Sequence, residues 1–128
     1  EKVDETIRLH FRNAPKVEGG TQLVGTAGTV TTLCAVAKGV APYDSSRVHC
    51  QHLGGVELQA LVDRLASLTL KQRAEIPALP RARADVIVAG GRILVGAMEH
   101  YKQDHLLVWD RGLRWGLLHH GLAQIDAA

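Results

Sequence analysis

Residues 22–29, Gln22-Leu23-Val24-Gly25-Thr26-Ala27-Gly28-Thr29, decide the fold, because they lead from a strand predicted over Thr21 to Val24 into a helix predicted over Val30 to Lys38. A strand that turns directly into a helix leaves the first N–H groups of the helix unpaired at the positive end of its dipole, where phosphate and other anions bind. The glycines allow a ligand or a backbone to approach closely, and Thr29 is the predicted helix cap. The turn over 25–29 therefore serves either tight strand–helix packing alone or anion binding.

The composition is that of one aliphatic domain. The 128 residues are 46% hydrophobic but only 4% aromatic, so the core is predicted to consist of Leu, Val, Ile and Ala. A net charge of +2 without a basic run argues against nucleic-acid binding. No apolar run reaches the roughly 18 residues of a membrane span, which argues against a membrane protein.

The first residue and the cysteines bear on the origin of the chain. The sequence begins with Glu1 and its single methionine is Met98, so we expect it to be a piece of a longer protein. Cys34 falls in the apolar helix, where a buried, inert thiol is expected. With Cys50 as the second cysteine and no export signal, the sequence predicts a reducing cytoplasm rather than a disulfide scaffold.

Helical patterns cover most of the chain. Helices are predicted over residues 1–14, 70–76, 92–103 and 113–122, and Gly39 is predicted to end the helix over 30–38 in a left-handed conformation. A further helix follows Gly54-Gly55, with an apolar stripe formed by Leu58, Leu61, Val62, Leu65 and Leu68. Pro42 to Ser46 has turn composition, with Asp44 as its capping residue, and Arg47 to Leu53 is predicted to be a short extended piece.

Two further apolar runs are predicted to be buried strands. Asp85 to Ala89 is short, continuously apolar and β-branched, which favours a central strand, and Gly90-Gly91 follows as a second glycine turn. His105 to Trp109 is the second run, and Asp110-Arg111-Gly112 turns it into the last helix. Because the carboxyl ends of parallel strands meet at one sheet edge, we expect the three small-residue turns to form one phosphate or nucleotide cleft.

Several polar side chains near these turns leave alternatives open. Asp110 directly follows a strand, which is typical of functional acids, but it is equally suited to cap the next helix. Arg111 and Arg114 can bind phosphate or pair with Asp110 or Glu99. Trp109 and Trp115 can stack on a base or pack in a core or an interface.

The histidines do not make a convincing metal site. His49-Cys50-Gln51-His52 has two ligand types close together, but a zinc motif needs a second pair at fixed spacing. Only His119-His120, far along the chain, could supply one, so a satisfied or surface role is favoured. No nucleophile or general base stands out from the sequence.

Four motifs in this order resemble those of the exopolyphosphatase / guanosine pentaphosphate phosphatase family. They are Gly25 to Leu33 (GTAGTVTTL), Tyr43-Asp44 with Val48-His49, Asp85 to Gly90 (DVIVAG), and Asp110 to Arg114 (DRGLR). The resemblance covers nearly the whole chain. It implies a partial α/β domain of ribonuclease H-like (actin-like ATPase superfamily) fold, with a mixed sheet flanked by helices, and places residues 1–128 as one domain, the later part of the second actin-like domain.

The resemblance also implies a function. Family members release terminal phosphate from inorganic polyphosphate or from guanosine pentaphosphate, with water attacking in line, a carboxylate as base and Mg²⁺ assisting. The family's catalytic glutamate and its first two phosphate loops precede the glycine turn, so the resemblance implies no catalytic residue and no metal ligand in this chain, which is expected to be inactive alone. The implied phosphate or nucleotide site comprises Gly25, Thr26, Gly28, Thr29, Gly90, Gly91, Asp110, Arg111 and Arg114.

Three residues depart from the family pattern. Cys50 replaces the usual glycine after the histidine, Gly54 replaces a helix-capping threonine, and Trp115 replaces a glutamate. Two alternatives to an enzyme fragment remain: a module that senses polyphosphate or guanosine phosphates without chemistry, and a dimerisation domain, which Trp109, Trp115 and the neighbouring histidines favour.

Overall fold

The structure, a computed structural model, describes residues 2–126. Over this range the elements run α1 (Lys2–Phe11), β1 (Val24–Thr26), α2 (Ala27–Ala37), α3 (Ser45–Val48), β2 (His52–Gly54), α4 (Gly55–Ser67), α5 (Leu70–Ala74), a 3-10 helix (Arg81–Arg83), α6 (Ile87–His100), β3 (His105–Trp109) and α7 (Leu113–Asp126). Among these helices, none combines the length and the apolar character needed to cross a bilayer.

The sheet has three strands in the order β1-β3-β2. β1 pairs with β3 in parallel, which sets Thr26 opposite Trp109, and β2 pairs with β3 antiparallel, which sets Leu53 opposite Leu106. The sheet is therefore mixed, as predicted. Because β1 and β3 end at the same edge, the start of α2 and the segment before α7 lie side by side.

Helices cover one face of the sheet. Gly25, Leu53, Leu106 and Val108 are buried on that face, against a core of aliphatic side chains from α2, α4 and α6. Side chains on the opposite face, including Val24 and Trp109, are exposed. The predicted aliphatic core is confirmed, and Cys34 is fully buried within it.

The prediction of a central strand over Asp85–Ala89 is wrong. Residues from Ile87 onward form α6, and β3 is the central strand instead. A short apolar run fits a buried strand and a buried helix equally well. The wider pattern decides, because the buried positions Ile87, Gly91 and Met98 follow helical spacing. The predicted turn at Gly90-Gly91 is wrong for the same reason, since both glycines lie inside α6.

Two element boundaries also differ from the prediction. β1 begins at Val24 instead of Thr21, so Gly25 and Thr26 belong to the strand and α2 starts at once at Ala27. Thr29 is inside α2 and does not cap it. The extended piece predicted over Arg47–Leu53 is replaced by α3 and the shorter β2.

Other local predictions are confirmed. The α4 stripe is buried at Leu58, Leu61, Val62 and Leu65. Gly39 adopts φ +63°, and the N–H groups of Gly39 and Val40 donate to Val36 and Ala35, which closes the end of α2. Asp44 caps α3 by accepting a hydrogen bond of 2.9 Å from the N–H of Ser46.

Candidate functional site

The start of α2 is a helix end without a side-chain cap. Thr26 is the N-cap residue in extended conformation, and its hydroxyl makes no capping hydrogen bond. Ala27 turns the chain from strand to helix with φ +70°, a left-handed conformation that costs a non-glycine residue roughly 1–2 kcal/mol. The sheet thus delivers the first N–H groups of α2 to its edge without an intervening loop, which is the arrangement that attracts anions.

Arg83 lies directly over this helix start. Its guanidinium occupies the space where a Cβ on Gly28 would be, so only glycine fits at residue 28 with the arginine in this place. Within the described part of the chain, no carboxylate pairs with Arg83. The guanidinium of Arg83 therefore lies against the amino-terminal end of α2. The sequence reasoning missed Arg83, although Arg81 and Arg83 stand close together in the segment just before α6, which was a usable signal.

The segment from Asp110 to Gly112 adjoins the same helix start. A Cβ on Gly112 would lie 3.5 Å from the hydroxyl oxygen of Thr26, so the two backbones are neighbours at the sheet edge. This contact follows from the parallel pairing of β1 and β3. The structure therefore brings together two of the three predicted turns.

Asp110 is fixed by two residues from a distant segment. The Tyr43 hydroxyl donates a 2.6 Å hydrogen bond to Asp110 Oδ1, and the Asp110 N–H donates a 3.2 Å bond to His49 Nδ1. Burial, followed by the hydrogen bond to Asp110, raises the pKa of Tyr43 to about 12, so the phenol is neutral at pH 7 and available as a donor. The carboxylate of Asp110 thus points to Tyr43.

The two other predicted arginines are exposed beside this turn. The Arg111 guanidinium lies 5.1 Å from the ring centre of Trp115, a cation–π contact, and Glu99 pairs with Arg8 instead. Arg114 is exposed at the start of α7. The alternative of salt bridges from Arg111 or Arg114 to Asp110 or Glu99 is therefore wrong within residues 2–126.

Gly90 and Gly91 serve helix packing. A Cβ on Gly90 would lie 2.6 Å from Thr29 Cγ2, and one on Gly91 would lie 2.5 Å from Val62 Cγ2. Gly90 therefore lets α6 approach α2, and Gly91 lets it approach α4. Gly91 is buried in this contact, which leaves its backbone out of reach of a ligand.

A tight turn and a bulge end the β2–β3 pairing next to the site. The Gln51 N–H donates to Val48, and His49 has φ −61° and ψ 136° while Cys50 has φ +62°, which defines a type II turn. The Cys50 N–H donates to the Val108 carbonyl and the Val108 N–H donates to Gln51, the pattern of a G1 bulge. Both motifs favour glycine at residue 50.

The described residues do not form a metal cluster, and a cavity outside the site is lined mainly by acidic and apolar residues. No three histidine, cysteine, aspartate or glutamate side chains in residues 2–126 come together in a way that could hold a metal ion. This cavity of about 750 Å³ lies between α4 and α6, away from the site. Its lining includes three carboxylates, those of Asp63, Glu99 and Asp104, against the single cation of Lys102, and this excess of negative charge disfavours phosphate.

Known sequences match most of this chain. The model of the Ppx/GppA phosphatase family matches residues 2–124. Exopolyphosphatase 2 of Mycobacterium tuberculosis is 39% identical over 93 residues, which are 73% of this chain and 28% of that protein. A bifunctional 3-dehydroquinate synthase/phosphatase of Fusobacterium nucleatum is 32% identical over 102 residues, 78% of this chain and 15% of that protein.

Solved structures share the fold. A crystal structure of the Aquifex aeolicus member of the Ppx/GppA protein family superposes with a TM-score of 0.91 at 28% identity, covering 98% of this chain and 40% of that one. An exopolyphosphatase from Cytophaga hutchinsonii has the same fold, with a TM-score of 0.74 at 19% identity over 97% of this chain and 43% of that one. The chain thus spans well under half the length of these relatives.

Proposed function

This chain belongs to the Ppx/GppA phosphatase family, and from that premise we propose that it is part of a phosphohydrolase that releases terminal phosphate from inorganic polyphosphate or guanosine pentaphosphate. Its fold is a partial α/β domain of the actin-like ATPase type, with a three-stranded mixed sheet flanked by helices. In this proposal the chain is the later part of the second of two such domains and forms one wall of the cleft between them.

The observation that carries the proposal is the pairing of Arg83 with the start of α2. The N–H groups after Thr26 and the guanidinium over Gly28 bind successive phosphates of the substrate, the first by dipole and hydrogen bonds and the second by charge. Arg111 and Arg114 extend the positive surface along the adjoining turn. Thr26, Gly28 and Thr29 act through the backbone. The buried Gly25 contributes by letting Val30 and Leu106 pack, and Gly90 by letting Thr29 pack.

The chain supplies binding and no chemistry in this proposal. Asp44 is engaged with Ser46 and Asp110 with Tyr43, so neither carboxylate is free to act as the base that activates water. Mg²⁺, which the resemblance implies for the parent enzyme, would neutralise charge on the phosphates. The described residues bring no three candidate side chains together and so do not form a metal cluster.

The test is a titration of the ¹⁵N-labelled chain with inorganic tripolyphosphate. We expect shifts of the amide signals of residues 27–30 and 110–114. Arg83→Gln should weaken binding by roughly 5- to 20-fold, because a charge-assisted hydrogen bond contributes about 1.5–3 kcal/mol in a partly buried site, less solvent screening. With Mg²⁺ added, no phosphate release is expected.

Arg81→Gln is the matched control, since Arg81 lies on the same 3-10 helix but is exposed. It should weaken binding less than about twofold, because exposed surface charges contribute little to the binding free energy. Equal losses for the two variants, or shifts confined to other parts of the chain, would contradict the site. Magnesium-dependent turnover by the chain alone would contradict the assignment of the base to another part of the protein.

A further inference from the structure

The long-range hydrogen bonds of residues 43–51, hereafter the 43–51 segment, reach the carboxyl-terminal half of β3 and the residue after it, and Tyr43 also lies next to Thr31 of α2. Near its end, Cys50 and Gln51 bond the backbone of Val108. Its side chains Tyr43 and His49 both bond Asp110. Two residues that are six positions apart thus converge on one residue at the sheet edge.

Hydrogen bonds within the 43–51 segment fix its conformation and thereby the position of His49. Asp44 accepts from the N–H and the hydroxyl of Ser46, at 2.9 and 2.7 Å, and the His49 N–H donates to the Ser45 carbonyl at 2.8 Å. The His49 ring also meets the Trp109 ring edge-to-face, with centroids 4.5 Å apart. The imidazole is therefore held in place by its own backbone and by a neighbouring ring.

The His49 imidazole accepts a hydrogen bond from Asp110, the residue that follows β3, just beyond the last backbone hydrogen bond between the two segments. The bulge at Cys50 turns the chain away from β3, so the last backbone bond between the two segments is made at Val108. The Asp110 N–H donates to His49 Nδ1 instead, which requires the neutral imidazole with its proton on Nε2. On the other side, the Tyr43 phenol engages the carboxylate of Asp110 at 2.6 Å.

We propose that Tyr43 and His49 are positioning residues that fix Asp110, and with it the 110–112 turn beside the start of α2, and thereby set the affinity of the site for a phosphate chain. This inference rests on the proposed function for its ligand. The two bonds orient the backbone and the carboxylate of Asp110 independently. The carboxylate is kept on Tyr43, away from the anion that Arg83 and the α2 N–H groups would bind.

The test uses four variants of the whole chain that separate hydrogen bonding from packing. Tyr43→Phe removes only the hydroxyl, and His49→Phe keeps a ring against Trp109 without an acceptor. His49→Asn places an amide oxygen close to the position of Nδ1 and restores the acceptor. Tyr101→Phe is the control, because it removes the hydroxyl of the other tyrosine.

The first measurement needs no ligand. Hydrogen exchange of the Asp110 amide should accelerate roughly 10-fold in His49→Phe, while His49→Asn should stay near the wild-type rate, as expected for loss and recovery of one hydrogen bond. Circular dichroism confirms that each variant is folded. An Asp110 amide equally protected in His49→Phe would overturn the role of His49.

The second measurement is affinity for tripolyphosphate. Tyr43→Phe and His49→Phe should each bind about 3- to 10-fold more weakly, as loss of one hydrogen bond of 0.5–1.5 kcal/mol implies, while His49→Asn and Tyr101→Phe should bind like wild type. Wild-type affinity in both Phe variants at residues 43 and 49 would overturn the inference and leave the proposed function standing. A wild-type chain that does not bind tripolyphosphate would instead refute the proposed function, and the exchange data would then decide the positioning role alone.

Discussion

At the scale of single residues, Cys50 carries the clearest conformational cost. Its φ of +62° places it in the left-handed region, at the position of a type II turn and a G1 bulge where glycine is favoured. Glycine is therefore the residue that this turn and bulge favour at position 50. Cys50 is exposed, so its side chain contributes no core contact that offsets the cost.

Cys50→Gly should therefore stabilise the chain. The left-handed conformation costs about 1–2 kcal/mol and glycine costs about 0.5–1 kcal/mol in chain entropy, so we expect a net gain of roughly 0.5–1 kcal/mol in the free energy of unfolding. Urea denaturation measures it. Gln51→Gly, at the next residue, is the matched control and should destabilise. A loss of stability in Cys50→Gly would show that the turn is not strained.

The raised pKa of Tyr43 predicts that the chain loses stability at alkaline pH. Burial and the hydrogen bond to Asp110 raise its pKa from 10.0 to about 12. Since the folded value exceeds the unfolded one, the stabilisation is fully present below pH 10 and is lost as pH rises from about 10 to about 12. Tyr43 is 48% exposed, so solvent screening limits this contribution to on the order of 1 kcal/mol.

The measurement is tyrosinate absorbance in Tyr101→Phe, in which Tyr43 is the remaining tyrosine. We expect its midpoint about 2 pH units above that of a model tyrosine. Asp110→Asn should bring the midpoint down, because the charged acceptor is replaced by a neutral one. An ordinary midpoint in Tyr101→Phe, with Asp110 intact, would rule out the contact between Tyr43 and Asp110 in solution.

At the scale of elements, α6 depends on glycines for its contacts. Gly91 is buried against α4, and an added Cβ would meet Val62 Cγ2 at 2.5 Å and Leu33 Cδ1 at 3.6 Å. Gly91→Ala gains about 1 kcal/mol in helix propensity but overpacks the contact, which typically costs 1–3 kcal/mol. We expect a net destabilisation of about 1 kcal/mol by thermal denaturation.

Gly116→Ala is the matched control for this prediction. Gly116 lies in a helix as well, but it is exposed and no atom lies within 4 Å of an added Cβ. The substitution should raise the helix content of α7 by propensity alone. Adding Val62→Ala to Gly91→Ala should remove the clash between the two side chains. If the double variant loses as much unfolding free energy as the two single variants together, the proposed contact is contradicted.

The elements also show what the sequence can predict. The α4 stripe, the left-handed Gly39 and the strand His105–Trp109 were predictable, because local spacing and turn chemistry determine them. Most of α6 was predictable as the helix over 92–103, but its first turn was not, because Asp85–Ala89 locally satisfies the pattern of a buried strand. The two turns that meet at the sheet edge could be predicted, because parallel strands end at the same edge. The contact of Arg83 with Gly28 could not, because it depends on the tertiary structure and not on the spacing of residues in the sequence.

At the scale of the whole molecule, α7 stands apart from the rest. From Leu113 to Ile125 every residue is exposed except Gly121, which is half-buried. The helix nevertheless carries large apolar residues on all sides, with Leu113 79% exposed and Ile125 72% exposed. Apolar surface of this kind is typical of a region that associates with another surface.

Removing α7 should therefore separate association from folding. A chain ending at Gly112 loses none of the buried core residues, so its free energy of unfolding should stay within about 1 kcal/mol of the full chain. Its tendency to self-associate, measured by sedimentation, should fall, because burial of apolar surface contributes about 25 cal/mol per Å² to association. The double variant Leu117→Gln, Leu118→Gln, in which α7 is intact, should also associate more weakly. A full chain that sediments as a strict monomer would exclude α7 as a dimer contact, and a truncated chain that fails to fold would show that α7 supports the 110–112 turn.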